Sequence, residues 1–216
     1  MGSIEKGGSD DGSLEIEGCG AQRGMMRPLV FHDAAAAILL LSSVTLANVF
    51  AVALLPPLRI RVRDWSGMVV AGSMITSTVI AGAIAWFRLA PIPGDPWLPI
   101  IVGIALVWTG FAFRAWSIVT LGRFFQLAVV IQEDHRVIQA GPYRWIRHPA
   151  YLGAIIGFIG IGVATDDWLS TIVMLAGASI GLLVRIRVEE RALLEGLGED
   201  YARFKRGRAC LVPGLF

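Results

Sequence analysis

Five apolar runs separated by short polar connections dominate the chain from residue 34 onward. A helix needs about 20 predominantly apolar residues to cross the hydrocarbon core of a bilayer. Runs over 34–55, 67–87 and 97–116, and one from 168 to about 184, approach or reach that length. The remaining run, 151–164, is short and calls for little tilt, a thinned bilayer or a re-entrant path. Trp97 and Trp116 bracket the third run as interfacial aromatics do, and Arg114 lies near enough to its end to snorkel. The last run continues without Pro or Gly into Arg185-Ile186-Arg187-Val188-Glu189-Glu190-Arg191, so the pattern predicts one helix that projects out of the membrane. The expected fold is all-α, a polytopic membrane helix bundle of about five transmembrane helices. It divides into a tail (1–27), two N-terminal transmembrane helices (28–96), and a core (97–216) with three further spans and a C-terminal cytoplasmic helix.

Composition points the same way. Hydrophobic residues make up 55% of the 216 positions and charged residues 17%, against roughly 45–50% and about 25% in soluble domains; mean hydropathy is +0.65. The balance of 19 Lys+Arg against 17 Asp+Glu leaves a net charge of +2, too small and dispersed for a nucleic-acid partner. The partner implied is the lipid bilayer. The tail holds Gly and acidic groups and lacks aromatics, so it is expected to be disordered, and it has no basic and apolar regions of a cleaved signal peptide. Lys and Arg are retained on the cytoplasmic side. They gather after the first run (Arg59, Arg61, Arg63), after the third (Arg123, Arg136, Arg144, Arg147) and in the C-terminal tail. Five spans satisfy this alternation, with the N-terminus outside and the 122–149 segment and the C-terminus in the cytoplasm. Cys19 and Cys210 stand near opposite ends without CxxC or His-rich spacing, so free thiols are expected and no metal site.

Gly153 and Gly157, and Gly177 and Gly181, are small-xxx-small patterns that let helix backbones approach in lipid. With the short Asp166-Asp167 turn they predict that the last two spans pair as a tight antiparallel hairpin. Polar residues suited to chemistry fall in two places. Gly141-Pro142 reads as a turn, and Pro149 suits the first turn of a helix, which places His148 at a helix N-terminus at the membrane surface. Backbone donors and the helix dipole there favour an anion, with Arg144 and Arg147 in support. On the emerging helix Arg185 and Glu189 are four apart and share one face. By spacing alone they make an ordinary surface ion pair, and His135 a solvated loop residue.

Taken together, Gly-Pro-Tyr-Arg-Trp-Ile-Arg-His-Pro-Ala-Tyr-Leu-Gly at 141–153, Glu189-Glu190, and Leu197-Gly198-Glu199-Asp200-Tyr201 resemble the isoprenylcysteine carboxyl methyltransferase family and the related phospholipid methyltransferases. These are integral membrane enzymes that use S-adenosylmethionine. The resemblance covers roughly residues 97–214. It implies a cytoplasmic-facing cofactor pocket formed by the C-terminal half, with Gln132, His135, Arg136, Val137, Ile138, Tyr143, His148, Pro149, Ala150 and Tyr151 at cofactor-contacting positions. Glu189, or its neighbour Glu190, corresponds to the carboxylate that holds the cofactor, and Arg185 to a substrate-orienting arginine; Arg185 and Glu189 are the expected catalytic pair. The expected activity is carboxyl O-methylation of an isoprenylcysteine-like, lipophilic or prenylated acceptor. Phospholipid N-methylation is the alternative. The Arg-His-Pro-x-Tyr core also resembles membrane sterol reductases that use NADPH, and a non-catalytic membrane assembly protein is the structural alternative. A carboxylate acceptor is ionised near pH 7, since model values are about 4, and needs chiefly positioning. An amine would first have to lose a proton to a base.

Overall fold

The computed structural model describes residues 28–53, 65–125 and 137–212. The tail 1–27 with Cys19, and the basic loop with Arg59, Arg61 and Arg63, lie outside the described residues. The described chain is built of helices: α1 (Leu29–His32), α2 (Ala34–Ala53), α3 (Trp65–Phe87), α4 (Trp97–Leu121), α5 (Pro149–Ala164), α6 (Trp168–Leu197) and α7 (Glu199–Arg206), with 3-10 turns at Gly122–Phe124 and Gly141–Arg144. Pro91 with Asp167 and Ile146 with Ala209 form isolated backbone bridges.

Local chemistry sets the boundaries. Asp33 Oδ1 accepts from the Ala35 and Ala36 amides at 2.8 and 3.2 Å, and Asp167 Oδ1 from the Ser170 amide at 3.0 Å, so each carboxylate satisfies donors that a helix start leaves open. Gly122 and Gly198, at φ 56 and 52, stop α4 and α6 in the left-handed region that glycine enters without strain. No such residue interrupts α6. Its 30 residues span about 45 Å, half as long again as a hydrocarbon core of about 30 Å. The expected projecting helix is present, its apolar stretch ending at Val184 and its last turns carrying the charges.

By length and composition Trp65–Phe87, Trp97–Phe124 and Trp168–Leu197 can cross a membrane, while Ala34–Ala47 and Pro149–Ala164 are shorter apolar helices. Ile75, Val79 and Val119 stay exposed on α3 and α4, as lipid-facing positions do. The molecule is an integral membrane protein.

The pairing differs from the expected one. Gly153 packs on α4, not α6: a Cβ added to it would stand 2.6 Å from the Gly110 carbonyl oxygen. At Gly160 the corresponding distance, to the Gly103 oxygen, is also 2.6 Å. Gly177 and Gly181 pack on Ser77 and Ser73 of α3. The small residues thus make two antiparallel pairs, α4 with α5 and α3 with α6. The hairpin forms between them, where Gly162 meets Thr171 and Met174 and where Ile155, Ala178 and Leu182 share a buried cluster. Spacing identified residues that approach a neighbour but carried no information on which neighbour. Ser170 Oγ donates to the Ala81 carbonyl at 2.9 Å, adding a polar tie to the α3–α6 pair. At the end away from α7, Arg88 pairs with Asp166 at 3.1 Å and the Ala90 amide donates to Asp167 Oδ2 at 2.8 Å. These contacts fasten the α3–α4 connection to the hairpin turn.

Candidate functional site

At the other end of the hairpin, the start of α5 meets the last turns of α6. His148 precedes α5 as its N-cap and Pro149 occupies the first helical position. The C-terminal segment holds this entry in place: the Arg147 and His148 amides donate to the Ala209 and Cys210 carbonyls at 2.9 and 3.1 Å. Tyr151 follows one turn on, its ring stacked on His148 at 5.6 Å. From α6 come Arg185 and, one turn later, Glu189. Tyr151 Oη donates to Glu189 Oε2 at 2.7 Å and accepts from Arg185 Nε at 3.4 Å, and Arg185 Nη1 donates to Ser66 Oγ on α3 at 3.0 Å. His148, Tyr151, Arg185 and Glu189 therefore converge although they are distant in sequence.

The two adjacent carboxylates have different surroundings. Glu190 is buried. His148 Nε2 donates to its Oε1 at 3.2 Å, Arg147 Nε lies 3.2 Å from the same oxygen, and Lys205 Nζ of α7 is 2.7 Å from Oε2. Burial alone would raise its pKa; the bonds from His148 and Lys205 and the charges of His148 and Arg147 outweigh burial and hold it at about 2. Glu189 is more open, with its side chain 30% exposed, and its Oε1 has no partner among the described residues. Of the two, Glu189 is free to receive a ligand. The anion expected at the N-terminus of α5 is supplied by the protein's own carboxylates, and Arg147 is engaged in holding Glu190. Cys210 comes close as well: donor atoms of His148, Glu190 and Cys210 lie within 4.8 Å of one another, yet Arg147 and Lys205 already neutralise that carboxylate.

Tyr143 is buried next to the cluster; burial, and then the Glu189 charge, push its phenol above the ordinary value, so it stays a protonated donor. Pro149 and Ala150 form the first turn of α5. Val137 and Ile138 are partly buried in the segment that leads to the Gly141–Arg144 turn, and that segment is tied to the C-terminus where Arg208 Nη2 donates to Gln139 Oε1 at 2.9 Å. Gln132, His135 and Arg136 lie outside the described residues.

Beside the cluster, and into the bundle, lies a cavity of about 480 Å³. Its wall is mostly apolar, with side chains from α2 to α6, and Tyr151, Arg185 and Arg114 supply its polar groups. The expectation that Arg114 snorkels is not met. Its Nη1 turns inward to the Ala150 carbonyl at 3.0 Å, because the closely packed α4–α5 pair places that carbonyl within its reach. Lys205 and Ser66 were missed by the sequence reading. Nothing local marks them, since each matters through a partner more than a dozen residues away.

The family model described as "Isoprenylcysteine carboxyl methyltransferase (ICMT) family" matches residues 102–195. Over that stretch the chain is similar to these methyltransferases. It is 32% identical over 110 residues to a "Probable protein-S-isoprenylcysteine O-methyltransferase" of Oryza sativa subsp. indica, covering 50% of this chain and 58% of that one. It is 26% identical over 174 residues to "Methanethiol S-methyltransferase 1" of Bradyrhizobium diazoefficiens, covering 72% and 60%. The chain thus spans little more than half the length of these relatives. A solved structure of the "eukaryotic intramembrane Ras methyltransferase ICMT" superposes with a TM-score of 0.59 at 20% identity, over 94% of this chain and 76% of that one. The isoprenylcysteine methyltransferase-like helical membrane fold is shared, and the methyltransferase-matched residues 102–195 contain His148, Tyr151, Arg185 and Glu189.

Proposed function

We propose that this protein is an S-adenosylmethionine-dependent membrane methyltransferase that esterifies the carboxylate of an isoprenylcysteine-like lipophilic acceptor. One observation carries the reading: a largely apolar cavity ends on Arg185, and Tyr151 joins that arginine to the available carboxylate Glu189. The donor set suits the cofactor, because a sulfonium and an ammonium call for an open carboxylate and Glu189 offers one. Glu189, Tyr143, His148, Pro149, Ala150 and Tyr151, with Val137, Ile138, Gln132, His135 and Arg136, form its binding surface. When bound, S-adenosylmethionine supplies a methyl carbon to which an acceptor oxygen bonds while the sulfur keeps the electron pair of the broken C–S bond.

The chain's own residues do the rest. Arg185 fixes the acceptor carboxylate through its planar fork. Tyr151, bonded to both Arg185 and Glu189, holds the acceptor and cofactor sides of the site at a set separation. The apolar wall excludes water, which favours joining a cation and an anion into neutral products. No residue has to act as a base, since a carboxylate acceptor is already ionised near pH 7. The relative named for methanethiol suggests a thiol acceptor as a second reading, but so small a molecule leaves the apolar cavity unused. In the bilayer the N-terminus lies outside and the site faces the cytoplasm; an impermeant thiol reagent that labelled Cys210 and spared Cys19 in intact cells would reverse this orientation.

The test separates binding from transfer. Glu189→Gln should weaken S-adenosylmethionine binding. Arg185→Lys should preserve it yet slow transfer to N-acetyl-S-farnesylcysteine, because a lysine cannot reproduce the fork. Labelled product from a lipid extract should be a base-labile ester. An N-methyl amine, or full activity in Arg185→Lys, would overturn the carboxylate reading.

A further inference from the structure

We infer that Gly157 sets which tail lengths the cavity admits: its missing side chain leaves the passage along α5 by which the acceptor's hydrocarbon tail reaches the depth of the bundle. The inference rests on the proposed methyl transfer and adds to it a determinant of tail length, remote from the reacting groups.

Packing on α4 does not explain this glycine. A Cβ added to Gly153 or to Gly160 would stand 2.6 Å from the Gly110 or the Gly103 carbonyl oxygen, so both positions need glycine for the helices to meet. Gly157 differs. A Cβ on Gly110 would lie 2.7 Å from its backbone nitrogen, yet a Cβ on Gly157 itself meets nothing within 4 Å. The α4–α5 contact therefore demands glycine at 110 and accepts alanine at 157, and alanine is the better helix former. The open space beside Gly157 is the cavity, which it lines. Ala154, Phe158 and Ile161 of α5 line it too. They stand three or four residues from Gly157 and share its face of the helix, so Gly157 lies in the middle of the α5 wall.

Tyr151 and Arg185 mark the reacting end of the cavity. Side chains on a helix lean towards its N-terminus, so the Tyr151 hydroxyl points away from Gly157. Gly157 follows Tyr151 by six residues, about 9 Å at a rise of about 1.5 Å per residue. Ile161, ten residues on, lies about 15 Å along the same face. Val107 of α4 lines the cavity near that depth; a Cβ added to Gly160 would stand 2.8 Å from its amide nitrogen. An extended chain gains about 1.25 Å per bond, given C–C bonds of about 1.5 Å. The cysteine thus takes up about 4 Å from carboxyl carbon to sulfur, and each isoprene unit about 5 Å more. A tail of one unit ends before Gly157, and a tail of three units has to pass it. A side chain at 157 would stand in that path, whereas a glycine serving packing alone would give no dependence on tail length.

The full chain in phosphatidylcholine nanodiscs tests this with N-acetyl-S-farnesylcysteine and N-acetyl-S-prenylcysteine as probes. Each variant is compared with the wild type on the same probe, so partitioning into lipid cancels. Gly157→Leu should weaken equilibrium binding of the farnesyl probe and raise its KM at least about fivefold, as a side chain forced into occupied space does. Binding of the prenyl probe and of S-adenosylmethionine should be unchanged. Equal weakening of both probes, or no weakening of either, overturns the inference. If Gly157→Leu does not fold, the wild type decides through photolabelling read by mass spectrometry. A farnesyl probe with a diazirine on its last isoprene unit should label the deep wall at Val107 or Ile161, and a prenyl probe with the same group should not. Absence of label from the deep wall with the farnesyl probe, or equal labelling by both, overturns the inference. The two readings fail separately. Probes that bind with a Gly157-dependent tail preference but gain no methyl remove the transfer reading alone, and methylation with the tail preference intact in Gly157→Leu removes the Gly157 assignment alone.

Discussion

Glu190→Gln probes the clamp that closes the site, because Glu190 joins α6 to the α5 entry through His148 and Arg147 and to α7 through Lys205. The amide keeps the size and an acceptor for His148 but removes the charge and turns donors towards one of the two remaining cations. A carboxylate that titrates at about 2 instead of 4.5 favours the folded state by about 3 kcal/mol at neutral pH. The Lys205 side chain is 39% exposed, so solvent screens part of this, and a loss of about 1–2 kcal/mol is expected. The sign with pH follows from a depressed folded value. The contribution is complete above the unfolded value of 4.5 and disappears as the pH falls through about 2. Unfolding in detergent micelles, monitored by Trp fluorescence for wild type and variant from pH 8 to pH 2, reads the difference directly. The gap should be constant from pH 8 to pH 6 and close at the acid end. Equal stability at pH 7 would refute the clamp, and a gap that persisted undiminished at pH 2 would show that amide geometry, not charge, causes the loss.

Other expectations follow from the same geometry. Gly110→Val forces a side chain onto the Gly153 and Gly157 backbone and should cost about 1–3 kcal/mol by the same unfolding assay, whereas Gly157→Ala, whose Cβ meets nothing within 4 Å, should be nearly neutral. Tyr151→Phe removes the hydroxyl between Arg185 and Glu189 while keeping the ring; S-adenosylmethionine affinity should fall at least about tenfold, with stability changed much less. Asp167→Ala orphans the buried Ser170 amide and the Ala90 amide and should destabilise by about 2–4 kcal/mol, with cofactor affinity in the folded fraction unchanged because the residue lies at the far end of the bundle.

The apolar runs located the helices well because hydrophobic length is a local property. The run ending near 184 and the charges after it made the projecting α6 visible, and Pro149 marked the start of α5. The positions of His148, Tyr151, Arg185 and Glu189 came from a motif, while their meeting point depends on tertiary pairing. That pairing was only half legible. Glycine spacing identifies a face that can approach another backbone, and in a bundle several neighbours compete for it. Gly153 found Gly110 of α4, and Gly177 found Ser77 of α3, because those helices carry matching small residues at the right heights. Arg114 was misread for a related reason. An arginine near the end of a run snorkels when its helix faces lipid, and only the α4–α5 contact shows that this one faces a cavity.

The roles of Glu189 and Glu190 depend on helix register. Successive residues on an α-helix point about 100° apart, so adjacent carboxylates cannot both face Tyr151. On α6 the direction is set well below the site: Gly177 and Gly181 lie against Ser77 and Ser73, and Ser170 bonds to Ala81. These contacts fix the rotation of the helix, and Arg185, on Ser66, repeats it near the emerging end. Given that rotation, Glu189 faces Tyr151 and Glu190 faces Lys205. A residue inserted between Gly181 and Arg185 would turn everything beyond it by about 100°, bringing the wrong side chains towards Tyr151 and Lys205 together. The serine and glycine stripe of the α3–α6 pair therefore acts beyond packing: it determines which of two chemically identical neighbours is available to a ligand and which holds the C-terminal helix.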